Sequence, residues 1–195
     1  MVDILLEGVR EMIGSSAAIS KTEPTNNSKN QVNIIENKNQ ESISEPDLIE
    51  LMNSAPIIFG DLGASGIALR IGEASFRHFL RKKGKEYSLC GNSYRLMNSH
   101  QRIFFGLSKL AEFANQNCGA DVSISEDENC WSWCANIEKS NFMISQLFKS
   151  YTIGLLREFF SWTSGGRYFP IEDSFESDEN KSTIQIRINK QPLGS

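Results

Sequence analysis

The stretch YTIGLLREFFSWTSGGRYFPIEDSF, at residues 151–175, contains the change of periodicity that decides the fold. Its first half belongs to a run, 143–162, in which apolar residues recur at helical spacing along one stripe. Such spacing predicts an amphipathic helix. Gly165 and Gly166 are expected to stop this helix, because glycine adopts the closing conformations that other residues avoid. The residues that follow alternate as a strand does, so the stretch predicts a helix, a tight stop and a strand.

Alternation of apolar and polar residues predicts two β-hairpins, one on each side of this helix. The first joins DVSIS at 121–125 to CWSWCANI at 130–137 across an acidic turn. The second joins RYFPIEDSF at 167–175 to STIQIRIN at 182–189. Three isoleucines of its last strand face one way: Ile184, Ile186 and Ile188. The predicted fold class is therefore α+β, an antiparallel sheet of two hairpins around a helix, packed against N-terminal helices.

Three helices are predicted before the first hairpin. The segment PDLIELM begins the first one at Pro46, since proline is favoured in the first turn of a helix. The second covers 65–83 and is expected to close with Gly84 in the left-handed conformation. The third covers 93–116 and is followed by a closing Gly119.

Composition divides the chain into three parts. A short amphipathic helix is predicted at 1–14, where apolar residues recur at helical intervals. Residues 15–45 are dominated by Asn, Ser, Lys, Glu and Gln, and they predict a flexible polar linker because such a segment buries too little apolar surface to fold. A single folded domain is expected at 46–195.

Charge and hydropathy exclude several function classes. The net charge of −4 and the pI near 5.3 argue against nucleic acid, whose binding proteins usually carry a basic face. Acidic residues interrupt the apolar N terminus, so no secretion signal is expected, and no stretch is uniformly apolar enough for a membrane span. We therefore expect a soluble, cytoplasmic protein whose cysteines are reduced.

Basic residues on the helix at 65–83 form a first candidate site. Arg70, Arg77 and Arg81 share a face beside His78. Their guanidinium groups could contact a carboxylate or phosphate of a ligand. The alternative is a solvated face whose cations suit the C-terminal end of a helix.

The histidines and one cysteine pair are further candidates. No catalytic spacing or phosphate loop accompanies His78 or His100, and either could bind the metal of a tetrapyrrole or be an ordinary residue. Cys130 and Cys134 share a strand face but lie roughly 13 Å apart. That distance is too long for one metal ion or a disulfide, so they predict small core thiols.

Aromatic residues are concentrated on the predicted helices. One helix face cannot bury both members of an adjacent pair such as Phe159-Phe160. The second member must then meet another surface, a ligand or a partner chain. The alternative is an unusually enclosed core helix.

Two passages, GIALRIGEASFRHFLRKKG at 66–84 and the stretch at 151–175, resemble the 4-vinyl reductase domain family of hydrocarbon-binding domains. The resemblance covers about 56–193. It implies a fold similar to that of some TRAPP vesicle-tethering subunits. It also implies a cyanobacterial-type role in photosystem assembly or pigment handling, at the cytoplasmic face of a photosynthetic membrane. Zinc is not expected, since Glu172 or Asp173 would stand at the family's metal site without cysteine partners.

The resemblance implies a non-catalytic binding or assembly protein that holds an apolar or tetrapyrrole ligand between the helices and the sheet. Catalysis is not expected, because no dinucleotide or flavin motif is present to supply a hydride. The alternatives are a protein scaffold or homodimer without a small ligand, and a component of a tetrapyrrole vinyl reductase. The residues predicted to contact the ligand are Arg70, Arg77, His78, Phe76, Phe104, Phe148, Tyr151 and Phe159.

Overall fold

The computed structural model describes residues 45–118, 121–138, 142–177 and 181–194. The helix predicted at 1–14 and the linker predicted at 15–45, apart from Glu45, lie outside the described residues. In chain order the elements are α1 Glu45–Lys83, α2 Asn92–Leu96, α3 Ser99–Cys118, β1 Asp121–Glu126, β2 Cys130–Glu138, α4 Phe142–Ser164, β3 Ile171–Ser177 and β4 Lys181–Asn189.

Helix α1 is long and bent. It joins the helix predicted to begin at Pro46 to the one predicted at 65–83. The bend is at Gly60, whose φ of 68° and ψ of 169° lie outside the helical region. Glycine reaches this conformation without the steric penalty that a Cβ atom imposes. The two predicted helices are therefore one element with a change of direction at Gly60.

Helix α1 ends at Lys83 as predicted, but the role predicted for Gly84 is wrong. Gly84 is not in the left-handed region, where Ser88 is found instead with φ 60°. A Cβ atom on Gly84 would lie 2.3 Å from the carbonyl oxygen of Leu80 and 2.7 Å from the sulfur of Cys90. Lack of space, rather than backbone conformation, therefore requires glycine at this position.

The single helix predicted at 93–116 is two helices. Met97 has the extended angles φ −65° and ψ 144° between α2 and α3. The side-chain oxygen of Asn98 accepts a 2.9 Å hydrogen bond from the backbone N–H of Gln101. This bond caps the beginning of α3. Apolar spacing continues across the break, so periodicity alone could not reveal it.

Both predicted hairpins are confirmed, and they form one antiparallel sheet in the order β1-β2-β4-β3. The two hairpins meet along β2 and β4, where Trp133 lies opposite Ile186. The three isoleucines predicted to share a face of β4 are fully buried. The α+β class with an antiparallel sheet is therefore confirmed.

The two cysteines of β2 lie on the outer face of the sheet. Cys130 and Cys134 alternate with Trp131 and Trp133; the tryptophans are buried in the core, whereas the cysteines are half-buried. The prediction of core thiols is wrong in this respect. The large indole rings take the inner face because they remove more apolar area from water.

Helix α4 confirms the helix predicted at 143–162. It ends before Gly165 and Gly166, whose φ angles of 75° and 92° make the predicted stop. Helix α4 lies against α1, and the core is enclosed by these helices, α3 and the inner face of the sheet. The fold thus places one aromatic-rich helix at the centre of the molecule.

Candidate functional site

The space between α1, α3 and α4, where a ligand pocket was predicted, contains the chain's own aromatic rings. Phe76 and Phe159 are buried and meet edge to face, with ring centroids 5.8 Å apart. Trp162 lies 5.8 Å from Phe76 on another side. Phe79 and Phe113 extend the cluster, with centroids 4.8 Å apart. In the described part of the chain these rings fill the interior, as the enclosed-core alternative expects.

The other predicted aromatic contacts lie apart from that pair. Phe148 and Tyr151 stack on each other along α4, with centroids 5.9 Å apart and an angle of 30° between the rings. Phe104 of α3 is half-buried at the edge of the core. The structure thus brings Phe76 and Phe159 together but does not join all five aromatics into one wall. Their assignment as ligand contacts stays a prediction.

The predicted cationic residues of α1 are engaged by acidic side chains and by one another. Arg70 is exposed and lies 3.5 Å from Glu73, one turn along the helix. Arg77 pairs with Glu158 of α4 at 3.2 Å. The guanidinium group of Arg81 is 3.0 Å from a ring nitrogen of His78. These contacts favour the solvated-face alternative for this surface.

His100 lies in a different environment, at the beginning of α3. Its Nε2 atom is 2.9 Å from a carboxylate oxygen of Glu126, at the end of β1. Its ring centroid is 5.8 Å from that of Trp131. The imidazole is about half exposed, at 52%. His100 is therefore oriented by a carboxylate and an aromatic ring while it stays accessible.

Glu126 is itself held in place from a second side. The ammonium group of Lys190 lies 3.0 Å from the same carboxylate oxygen. The pKa of Glu126 is lowered, chiefly by its hydrogen bond from Lys190 and also by His100. Glu126 therefore remains an anion beside His100 at neutral pH.

This arrangement separates two histidines that looked equivalent in the sequence. A metal-binding imidazole usually uses one ring nitrogen for the metal and donates from the other to a carboxylate or carbonyl. His100 has such a partner in Glu126, which leaves Nδ1 available for a second contact. His78 instead faces the guanidinium group of Arg81. The positive charge of that group would repel a metal cation bound to the imidazole. The contact of His100 with Glu126 of the first hairpin distinguishes the two histidines. Residue spacing within a helix does not reveal such a contact.

A tetrapyrrole with a central iron can be held by an imidazole of the protein. The space between α1, α3 and α4 does not fit such a group, since the described aromatic rings occupy it. At the beginning of α3 the donor chemistry fits, because the imidazole of His100 is accessible. Leu96, at the end of the preceding helix α2, is 86% exposed.

Bare metal ions have weaker support in the described ranges. No group of three His, Cys, Asp or Glu side chains there is close enough to hold an ion. Asp173, which would stand near the metal site implied by the family resemblance, pairs with Lys149 of α4 at 2.7 Å. Glu172 is exposed on β3. Asp173 therefore joins the sheet to α4, and Glu172 lies on the surface.

The bend of α1 carries exposed apolar side chains. Leu62 is 91% exposed and Ile57 84% exposed, and Ile58 and Phe59 are exposed beside them. By length and composition, Ser54–Lys83 could cross a membrane, with mean hydropathy 1.2 over its most apolar window. Core helices of soluble proteins meet the same criterion, so this is weak support for a span.

By sequence, the chain matches no protein-family profile and no curated protein. By structure, it is similar to an oxygen-binding H-NOX domain related to soluble guanylate cyclases, with a TM-score of 0.54 and 11% identity over all of this chain and 95% of that one. An H-NOX protein studied for haem distortion gives 0.57 and 11% over all of this chain and 98% of its own. One from work on H-NOX activation gives 0.55 and 12%, covering all of this chain and 97% of that chain.

These similarities correct the expected resemblance to the 4-vinyl reductase family, which is wrong. The implied links to photosystem assembly and photosynthetic membranes are withdrawn with it. The two passages that carried the resemblance, at 66–84 and 151–175, contain the parts of α1 and α4 that touch through Gly72 and Gly154. Small residues and apolar stripes are required wherever two helices pack closely, so they do not identify a family. The chain has an H-NOX-like α+β fold.

Proposed function

We propose that this chain is a non-catalytic binding domain whose ligand is a tetrapyrrole, which the imidazole of His100 would hold. The observation that carries the proposal is the accessible imidazole of His100, held by Glu126 at 2.9 Å. The fold adds support, since similar solved structures include an oxygen-binding H-NOX domain and H-NOX proteins studied for haem distortion. The ligand would lie at the beginning of α3, outside the filled core.

Each neighbouring side chain has a distinct task in this proposal. Glu126 fixes the tautomer and direction of the imidazole, because a carboxylate next to Nε2 selects the N–H at that atom. Lys190 holds Glu126 in turn, 3.0 Å away. Trp131 limits rotation of the ring from the core side. When bound, a haem would supply an iron centre able to bind a small molecule.

The test is a titration of the full chain with hemin, followed by the Soret band. We expect a saturable complex with one hemin per chain. His100→Ala should weaken binding at least tenfold and shift the band. The matched control is His78→Ala, which removes the other imidazole from α1 and should leave both spectrum and affinity unchanged.

Two results would contradict the proposal. One is a wild-type chain that takes up no hemin; the other is a His100→Ala variant with unchanged affinity and spectrum. A chain that binds no tetrapyrrole but self-associates would instead favour the scaffold alternative from the sequence. Sedimentation of the same samples distinguishes that result.

A further inference from the structure

A second feature, independent of the tetrapyrrole proposal, is a small cavity of about 90 Å³ beside the C-terminal end of α4. Its walls come from α4 and from the segment that leads into β3. Arg157 and Arg167 both line it, one from each side of the turn at Gly165 and Gly166. The cavity is therefore lined by two arginines in a chain of net charge −4.

Neither arginine has an acidic partner among the described residues. The Nε atom of Arg157 is buried and makes no hydrogen bond there. Arg77 and Arg187, in contrast, are paired with Glu158 and Asp127. A buried donor without an acceptor is unfavourable, because it has given up its hydrogen bond to water. An anion within reach of this Nε atom would supply the missing acceptor.

The backbone around the cavity is held in a defined shape. The N–H of Gly166 donates to the carbonyl oxygen of Ser161 at 2.7 Å. The N–H of Arg167 donates to the hydroxyl of Ser164 at 3.1 Å. These bonds close the turn that carries Arg167. The backbone of Arg167 is therefore held to the end of α4, the helix that contains Arg157.

The remaining walls are aromatic. Phe160 and Phe169 line the cavity and contact each other, with ring centroids 5.2 Å apart. Tyr168 is about half exposed beside them. The volume equals that of roughly three water molecules at about 30 Å³ each. It suits a single anionic group rather than a whole ligand of ordinary size.

We propose that this cavity binds the oxyanion group, carboxylate or phosphate, of a small molecule. Arginine is suited to this task because its planar fork gives two parallel hydrogen bonds to either group. Ser161 adds a hydroxyl donor at the same wall. The aromatic rings accept the apolar part of a carboxylate, whereas inorganic phosphate would use the guanidinium groups alone.

The experiment titrates the full chain with inorganic phosphate and, separately, with benzoate, at constant ionic strength and with chloride as the reference. Tryptophan fluorescence reports binding, because Trp131 lies 5.5 Å from Phe160 and 6.0 Å from Phe169. We expect a saturable change with at least one of the two anions. Tighter binding of benzoate would assign a carboxylate ligand, and tighter binding of phosphate a phosphorylated one.

Variants test whether the arginines are responsible. Arg157→Gln and Arg167→Gln should each weaken binding at least tenfold, whereas Arg95→Gln, an exposed arginine of α2, should not. Arg167 is exposed, so its variant should fold even if the Arg157 variant does not. The proposal is overturned if neither anion gives a saturable change, or if the Arg167→Gln variant binds as tightly as the wild type.

Discussion

Gly154 of α4 lies directly against the backbone of Leu69 in α1. A Cβ atom at Gly154 would be 2.0 Å from the carbonyl oxygen of Leu69. Gly72 of α1 has the reciprocal relationship, since its Cβ would be 2.0 Å from the carbonyl oxygen of Tyr151. The two central helices therefore touch through their main chains at a pair of glycines.

We expect Gly154→Ala to destabilise the fold by roughly 2 kcal/mol, because the backbone of α1 must move to admit a methyl group. Urea unfolding followed by circular dichroism measures the change. Gly66→Ala is the matched control: Gly66 is in α1, the other helix of this contact, but a Cβ there meets nothing within 4 Å. That variant should gain up to about 1 kcal/mol from helix propensity. Equal effects of the two substitutions would contradict the packing argument.

Tyr94 provides a second packing test. Its ring stacks on Trp162 with centroids 5.6 Å apart and 12° between the planes. Its hydroxyl lies 3.4 Å from the hydroxyl of Thr163, and burial raises its pKa. We expect Tyr94→Ala to cost about 3–5 kcal/mol, and Tyr94→Phe about 1 kcal/mol or less. If thermal unfolding shows a similar loss of stability for both variants, the hydroxyl and not the ring of Tyr94 provides the stabilisation.

Local periodicity predicted most of the fold. The helix α4, both hairpins and the buried isoleucines of β4 follow from apolar spacing, because burial of one face imposes a period on the sequence. The break between α2 and α3 did not follow from it, since the apolar stripe continues through Met97. The capping side chain of Asn98 determines where α3 begins. A single hydrogen bond of this kind leaves no periodic pattern in the sequence.

The candidate site was harder to predict for a related reason. Sequence spacing favours Arg70, Arg77 and His78 because they are neighbours on one helix. His100 depends instead on Glu126, which reaches it only when the first hairpin folds back on α3. Pairing between elements is a property of the docked structure, and sequence spacing within one element contains no record of it.

Stability in acid should depend on the end of the first hairpin. Glu126 and Asp127 both have lowered pKa values; for Glu126 the main cause is Lys190, and for Asp127 it is the backbone N–H groups that its carboxylate accepts. A carboxyl whose pKa is lower in the folded state contributes stability above its ordinary pKa, about 4.5 for Glu126 and about 3.8 for Asp127, and loses it as the pH falls further. The melting temperature should therefore decrease as the pH is lowered from about 4.5.

Glu126→Gln should flatten this acid dependence, because amide replaces the titrating group. The variant should melt lower than the wild type at neutral pH and approach it in acid. Glu172→Gln, at an exposed carboxylate of β3, is the matched control and should retain the wild-type profile. If the melting temperatures of wild type and Glu126→Gln depend on pH in the same way, the Glu126 carboxylate is not the source of the acid dependence.

The same substitution tests the tetrapyrrole proposal from its supporting residue. If Glu126 orients His100, Glu126→Gln should reduce hemin affinity about 10- to 100-fold, the usual effect of losing a carboxylate behind a metal-binding imidazole. The iron spectrum should remain that of an imidazole complex, because His100 is intact. His100→Ala should change the spectrum as well. A Glu126→Gln variant with unchanged affinity would mean that the 2.9 Å contact orients the ring for no ligand, and the contact would then serve only to hold α3 to the hairpin.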